Sequence, residues 1–251
     1  IAGASAGEGT ISITGTVKTF TGEIGGTSGA TNVGAINIAG GQTGTFKNNV
    51  AATAITIGTS TTDGTMIIAS AASPAAITVR GAINGSSANT GNLTVQNSGG
   101  TTFTGIIGGT RIDALTISQA TTFQAAVSAT TLSTTAAISN GTTLDISSTS
   151  SIGANITTSS TQTYTGAVTI YGASGTGNTR TLTTTASAIT FGNTVNSTAS
   201  QANNLTFGSG TGAVTFTGAV GGAVNGALGT ITGIAGQTLT FSDAVTATTI
   251  A

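Results

Sequence analysis

Val214-Thr215-Phe216-Thr217-Gly218-Ala219-Val220 is the stretch on which the fold turns. Its first half alternates apolar and hydroxyl side chains with period two, as a strand with one buried face does. An aromatic then precedes a glycine by two positions and a valine by four. The same frame, aromatic-x-small-x-Val/Ile, recurs along the chain. It starts at Phe20, Phe46, Phe103, Phe123, Tyr164, Phe191 and Phe241, and at Val79 with valine in the aromatic place. The aliphatic member is then Ile24, Val50, Ile83, Ile107, Val127, Val168, Val195, Val220 or Val245. Eight of the ten aromatic residues of the chain fall in this frame, and only Tyr171 and Phe207 lie outside it.

Successive members lie 20 to 33 residues apart, with one gap of 41 between Phe123 and Tyr164. That gap spans two periods, and Leu144 and Ile146 mark a degenerate member inside it. A second element, apolar-Thr-apolar, often precedes the first, as in Leu93-Thr94-Val95, Ile189-Thr190-Phe191 and Leu239-Thr240-Phe241. No window shows apolar residues at helical spacing.

The middle position of the frame is a corner. It is Ala125 in the Phe123 frame and otherwise Gly22, Asn48, Gly81, Gly105, Gly166, Asn193, Gly218 or Asp243, residue types that turn a chain and tolerate positive φ. A short strand, a corner and another short strand make part of one coil of a solenoid. A lone coil cannot bury its apolar face, whereas stacked coils share a continuous core. The expected fold is therefore all-β: one parallel β-solenoid domain over 1–251, of about ten coils, with no significant helix. The nine frames would stack into one internal aromatic column and one aliphatic column beside it. The alternatives are an antiparallel sandwich, for which two-residue hairpin signals are scarce, and a transmembrane barrel, whose strands would be longer.

Composition narrows the function. Charged residues make up 4% of the chain, against about 25% in a typical soluble domain, and the net charge is −1. No basic patch for nucleic acid is available, and no apolar run reaches the length of a membrane helix. Hydrophobic residues reach 37%, rich in Val and Ile, which argues against disorder. The absence of Cys and His removes thiolate sites and most general bases, so neither a catalytic site, a metal site nor a cofactor is expected. The six acids, Glu8, Glu23, Asp63, Asp113, Asp145 and Asp243, read as isolated solvated charges. Asn-x-Ser/Thr sites are as frequent as chance allows in so Thr-rich a chain. Threonine ladders on a flat solenoid face can bind ice, but the uneven repeat lengths argue against a lattice-matched face. Polysaccharide binding would need exposed aromatics, for which Tyr171 and Phe207 are the candidates.

From Thr161 to Gly222 the chain reads TQTYTGAVTI, then ITFGNTVN, then LTFGSGTGAVTFTGAVGG. This pattern resembles the repeats of filamentous-haemagglutinin-like exoproteins and of autotransporter passenger domains. The resemblance implies a right-handed parallel β-helix, an extracellular or bacterial cell-surface location, and a structural or adhesive role with a host or cell-surface glycan as possible partner. It carries no functional residue onto this chain. A second expectation is self-association, end to end or by strand exchange. The strand-like segments Thr10–Thr14 and Thr238–Ser242 near the two ends and the low net charge both favour it.

Overall fold

The computed structural model describes residues 1–26, 31–172 and 176–251. Among them are 26 strands and no helix, and strands of neighbouring coils pair in parallel. The fold is a parallel β-solenoid. Contacts divide the chain into two compact units, Ile1–Thr130 and Thr131–Ala251, where the sequence reading has a single domain. Each coil of a solenoid packs on its neighbours alone, so nothing ties distant coils into one globule.

In the first unit three stacks of inward side chains carry the core. Ile11, Ile36, Ile55, Ile83 and Ile107 lie in register on one face. Phe20, Phe46, Ile68, Val95 and Ile117 lie in register on the second. Ile24, Val50, Val79, Phe103 and Phe123 form the third. Ile36, Ile55, Ile83, Phe46, Ile68 and Val79 are each fully buried. Each such aliphatic or aromatic side chain stabilises the fold by roughly 1.5–3 kcal/mol relative to exposure.

The single aromatic column expected from the frame is thus two columns. Phe20 and Phe46 stack on each other, 5.1 Å between ring centroids, and continue as Ile68. Phe103 and Phe123 stack 5.2 Å apart on another face, and Val79 joins them there. The aliphatic column divides in the same way. Ile24 and Val50 share the face of Val79 and Phe103, while Ile83 and Ile107 belong to the next face. The Ile107 N–H donates to the Ala126 carbonyl, 3.0 Å away, which brings Val127 to the same level. The cause lies in the strand Val50–Ile57. Its register with Ile77–Gly85 slips between Ala51 and Ala54, so the corner from Val50 to Ile55 shortens to the four-residue spacing of the frame at Val79 to Ile83, while the preceding corner, Phe46 to Val50, lengthens to Ile68 to Val79.

In the second unit the aromatic residues of the frame share one column. Ile146, Tyr164, Phe191, Phe216 and Phe241 lie in register, and Ile146 fills the predicted degenerate place. The rings of Tyr164, Phe191, Phe216 and Phe241 stack at 5.4, 4.8 and 4.8 Å, with planes 12°, 11° and 9° apart. Beside them run Ser150, Val168, Val195, Val220 and Val245. A third stack holds Ile138, Ile156, Leu182 and Phe207. Each unit therefore shows five stacked levels, in line with about ten coils.

Gly22, Asn48, Gly105, Gly166, Asn193, Gly218 and Asp243 all sit at bends between paired positions. Positive φ is not the reason for their choice. Only Gly81 among the predicted corners has it, at 101°. Gly105 is required by close approach instead: a Cβ there would lie 2.2 Å from the Gly81 carbonyl oxygen of the neighbouring coil. Where the corner is Asn or Asp, the side chain caps the next amide. Asn48 Oδ1 accepts from Asn49 N–H at 2.8 Å, Asn193 Oδ1 from Thr194 N–H at 2.7 Å, and Asp243 Oδ1 from Ala244 N–H at 2.7 Å.

Candidate functional site

Chemistry in this chain has to come from its few charged groups and its hydroxyls. No cluster of three or more His, Cys, Asp or Glu side chains able to hold a metal ion occurs among the described residues. No helix among them is long and apolar enough to cross a membrane.

Two acids that the sequence reading treats as isolated share one corner region of the first unit. Gly64 and Asp113 lie on either side of Gly91 in successive coils: Asn92 N–H donates to Gly64 O, and Asp113 N–H to Gly91 O, each at 2.9 Å. Asp63 Oδ1 accepts from Gly91 N–H at 2.7 Å. Partial burial raises the Asp113 carboxyl above the ordinary aspartate range, and the Asp63 charge raises it further. Stacking brings together residues 50 positions apart, which no local motif announces. Arg111 and Asp113 stand on the same side of the strand Ile107–Ile117, as their spacing predicts, and the Arg111 guanidinium donates to Ala129 O at 2.9 Å.

A small cavity of about 60 Å³ lies among Glu23, Asn49, Thr78 and Arg80. Glu23 Oε1 is buried there without a partner, and Asn49 Oδ1 accepts from Thr78 N–H at 2.8 Å. Its size suits a few waters rather than an organic ligand.

In the second unit the Ser150 hydroxyl is buried without a partner, whereas Tyr164 and Gln162 satisfy each other inside the solenoid. The Tyr164 hydroxyl donates to Gln162 Oε1 at 2.9 Å, and Gln162 Nε2 donates to Thr183 O at 2.9 Å. Both side chains are fully buried, and burial drives the Tyr164 phenol far above its ordinary pKa. Phe207, a candidate sugar platform in the sequence reading, is a core residue packed edge-on to Phe216 at 6.1 Å. Tyr171 is half-buried, and its carbonyl accepts from Arg180 Nε at 2.9 Å. The described residues therefore offer no exposed aromatic platform.

What remains outward is hydroxyl. Thr163, Thr190, Thr215 and Thr240 lie in register on four successive coils, following Asp145 on the strand Leu144–Ile146. In the first unit Thr78, Thr102 and Thr122 do the same on a shorter face. Another outward column there, Thr19, Thr45, Ile67, Thr94 and Thr116, is interrupted by Ile67. Such a surface binds by hydrogen bonds and shape rather than by charge. No protein-family model, curated protein or solved structure matches this chain.

Proposed function

We propose that this chain is a non-catalytic structural or adhesive β-solenoid of the bacterial cell surface. The observation that carries the reading is the stacked, in-register core of the second unit beneath a nearly uncharged, hydroxyl-rich skin. In such a body every strand is hydrogen-bonded on both edges except at the ends of the stack, which leaves proteases little extended backbone to capture. The resemblance to filamentous-haemagglutinin-like repeats supports the same reading and its extracellular location. The absence of His and Cys from the sequence leaves few of the usual catalytic groups.

Protease treatment of intact producing cells tests it. The reading expects an antibody against this segment to label unpermeabilised cells, and expects the folded segment to survive protease under conditions that digest an ordinary cytoplasmic control. Labelling confined to permeabilised cells overturns it.

A second reading is favoured by the net charge of −1, which opposes self-association only weakly. In it, copies of the chain assemble by strand pairing into a filament, sheath or surface layer. Sedimentation across a concentration series separates the two readings: a constant monomer supports the adhesive stalk, and growth into large species supports assembly.

A further inference from the structure

We propose that the Thr163–Thr240 face of the second unit is a binding face for ice. The inference does not rest on the stalk reading, since a stalk without ice affinity and an ice binder that is no stalk are separable outcomes.

Uneven repeat lengths, the objection raised by the sequence, do not reach this face. Insertions are absorbed at corners, while the strands Gln162–Tyr164, Ile189–Phe191, Val214–Phe216 and Leu239–Phe241 stay in register. The rings behind the face measure its regularity. Their centroids lie 5.4, 4.8 and 4.8 Å apart, close to the spacing of neighbouring strands, and all three residues of each strand keep their register from coil to coil.

Three parallel columns lie on the face. The central one is Thr163, Thr190, Thr215 and Thr240. Two positions after it run Thr165, Gly192, Thr217 and Ser242, held by N–H donation to Ile146, Tyr164, Phe191 and Phe216 carbonyls at 2.8–2.9 Å. Two positions before it run Thr161, Ala188, Ala213 and Thr238, whose carbonyls accept from Leu144, Gln162, Ile189 and Val214 at 2.9–3.1 Å. Every residue of the flanking columns is Thr, Ser, Ala or Gly, so nothing overhangs the central threonines, and none of the twelve is charged. The central hydroxyls make no hydrogen bond within the described residues and are free for an external partner.

Such a face presents methyl and hydroxyl groups on a two-dimensional net. The net repeats at 4.8 Å across the coils and at about 6.8 Å along a strand. Both repeats are close to those of oxygen on the prism faces of hexagonal ice. An in-register, uncharged net of that kind can hold ordered water in the pattern of the crystal. A crystalline polysaccharide also has a periodic surface, but sugar faces are gripped by exposed aromatic rings, and this face has none.

Ice uptake during slow directional freezing of the purified full chain tests the proposal, together with inhibition of ice recrystallisation. The expected result is enrichment in the ice and arrest of crystal coarsening. Thr190→Lys with Thr215→Lys should raise the concentration needed at least tenfold, and Thr169→Lys, on the neighbouring face, should leave it unchanged. Thr190→Ser with Thr215→Ser keeps the hydroxyls and disturbs the fold least; it should give an intermediate loss, with circular dichroism confirming the folded state of each variant. Exclusion of the parent chain from ice overturns the proposal, as does a lysine or serine variant that is folded and fully active. So does retention on microcrystalline cellulose with no effect on ice.

Discussion

Gly81 meets the Ala52 carbonyl oxygen so closely that a Cβ at this position would lie 2.0 Å from it. The same residue has φ of 101°, a region that L side chains rarely adopt. Both conditions arise where the strand Ile77–Gly85 passes from one face to the next beside the register slip of the preceding coil. Backbone on one side and coil on the other leave no room to relax. Gly81→Ala should therefore cost roughly 2–4 kcal/mol. Gly22→Ala is the control: φ there is not positive, and a Cβ would meet nothing within 4 Å. It should fall within about 0.5 kcal/mol of the parent. Urea denaturation of the two variants measures the difference, and equal midpoints would refute the argument.

Gln162 occupies a place in its column held by Leu144 below and Ile189 above, both apolar. It is tolerated because Tyr164 and Thr183 satisfy its amide. Tyr164→Phe leaves Gln162 Oε1 buried without a donor, at a cost of about 1–3 kcal/mol. Adding Gln162→Ile makes the strand read as its neighbour Ile189-Thr190-Phe191 does, and should recover most of that loss. Equilibrium unfolding of both variants tests the coupling, and additive losses would refute it.

The frame aromatic-x-small-x-Val/Ile was legible because its parts are local. Alternation marks the strand, and a small or amide residue marks the bend. Which corner of the coil the frame occupies was not legible. Phe46 and Phe103 stand in the same local sequence pattern, yet stack on different faces, because the four-residue spacing falls on one corner between Phe46 and Val50 and on the next corner between Val79 and Ile83 and between Phe103 and Ile107. Only contacts between coils decide that. The same holds for Asp63 with Asp113 and for Gln162 with Thr183: pairs made by stacking leave no trace in sequence spacing. The in-register threonine face was hidden for a related reason. Repeat length, which the sequence displays, varies at corners, whereas strand register, which it does not display, is constant.

Phe191 lies between two rings, 5.4 Å from Tyr164 and 4.8 Å from Phe216. It is fully buried, while Phe20 is half-buried against Phe46 alone. Phe191→Ala should cost about 3–5 kcal/mol through lost burial and the cavity left between fixed coils. Phe20→Ala should cost distinctly less. Thermal melts of both variants read the order, and the reverse order would contradict the stacking.

Asp113 sets the sign of one limb of the pH–stability curve. Burial first, and the Asp63 charge second, raise its folded-state pKa above the unfolded value. The folded protein then holds the Asp113 proton more tightly than the unfolded chain does. By linkage, the protonated folded state is favoured at low pH, and this contribution is lost as pH rises from the ordinary aspartate range, near pH 4, through the raised pKa. Asp63 Oδ1 accepts the Gly91 amide, which holds this carboxylate beside the coil that carries Asp113. Asp113→Asn removes the repulsion without changing shape. It should therefore raise the urea midpoint at neutral pH relative to the parent, and the advantage should shrink as pH falls below about 4. A constant difference between Asp113→Asn and parent across that range would show that the two carboxylates do not sense each other.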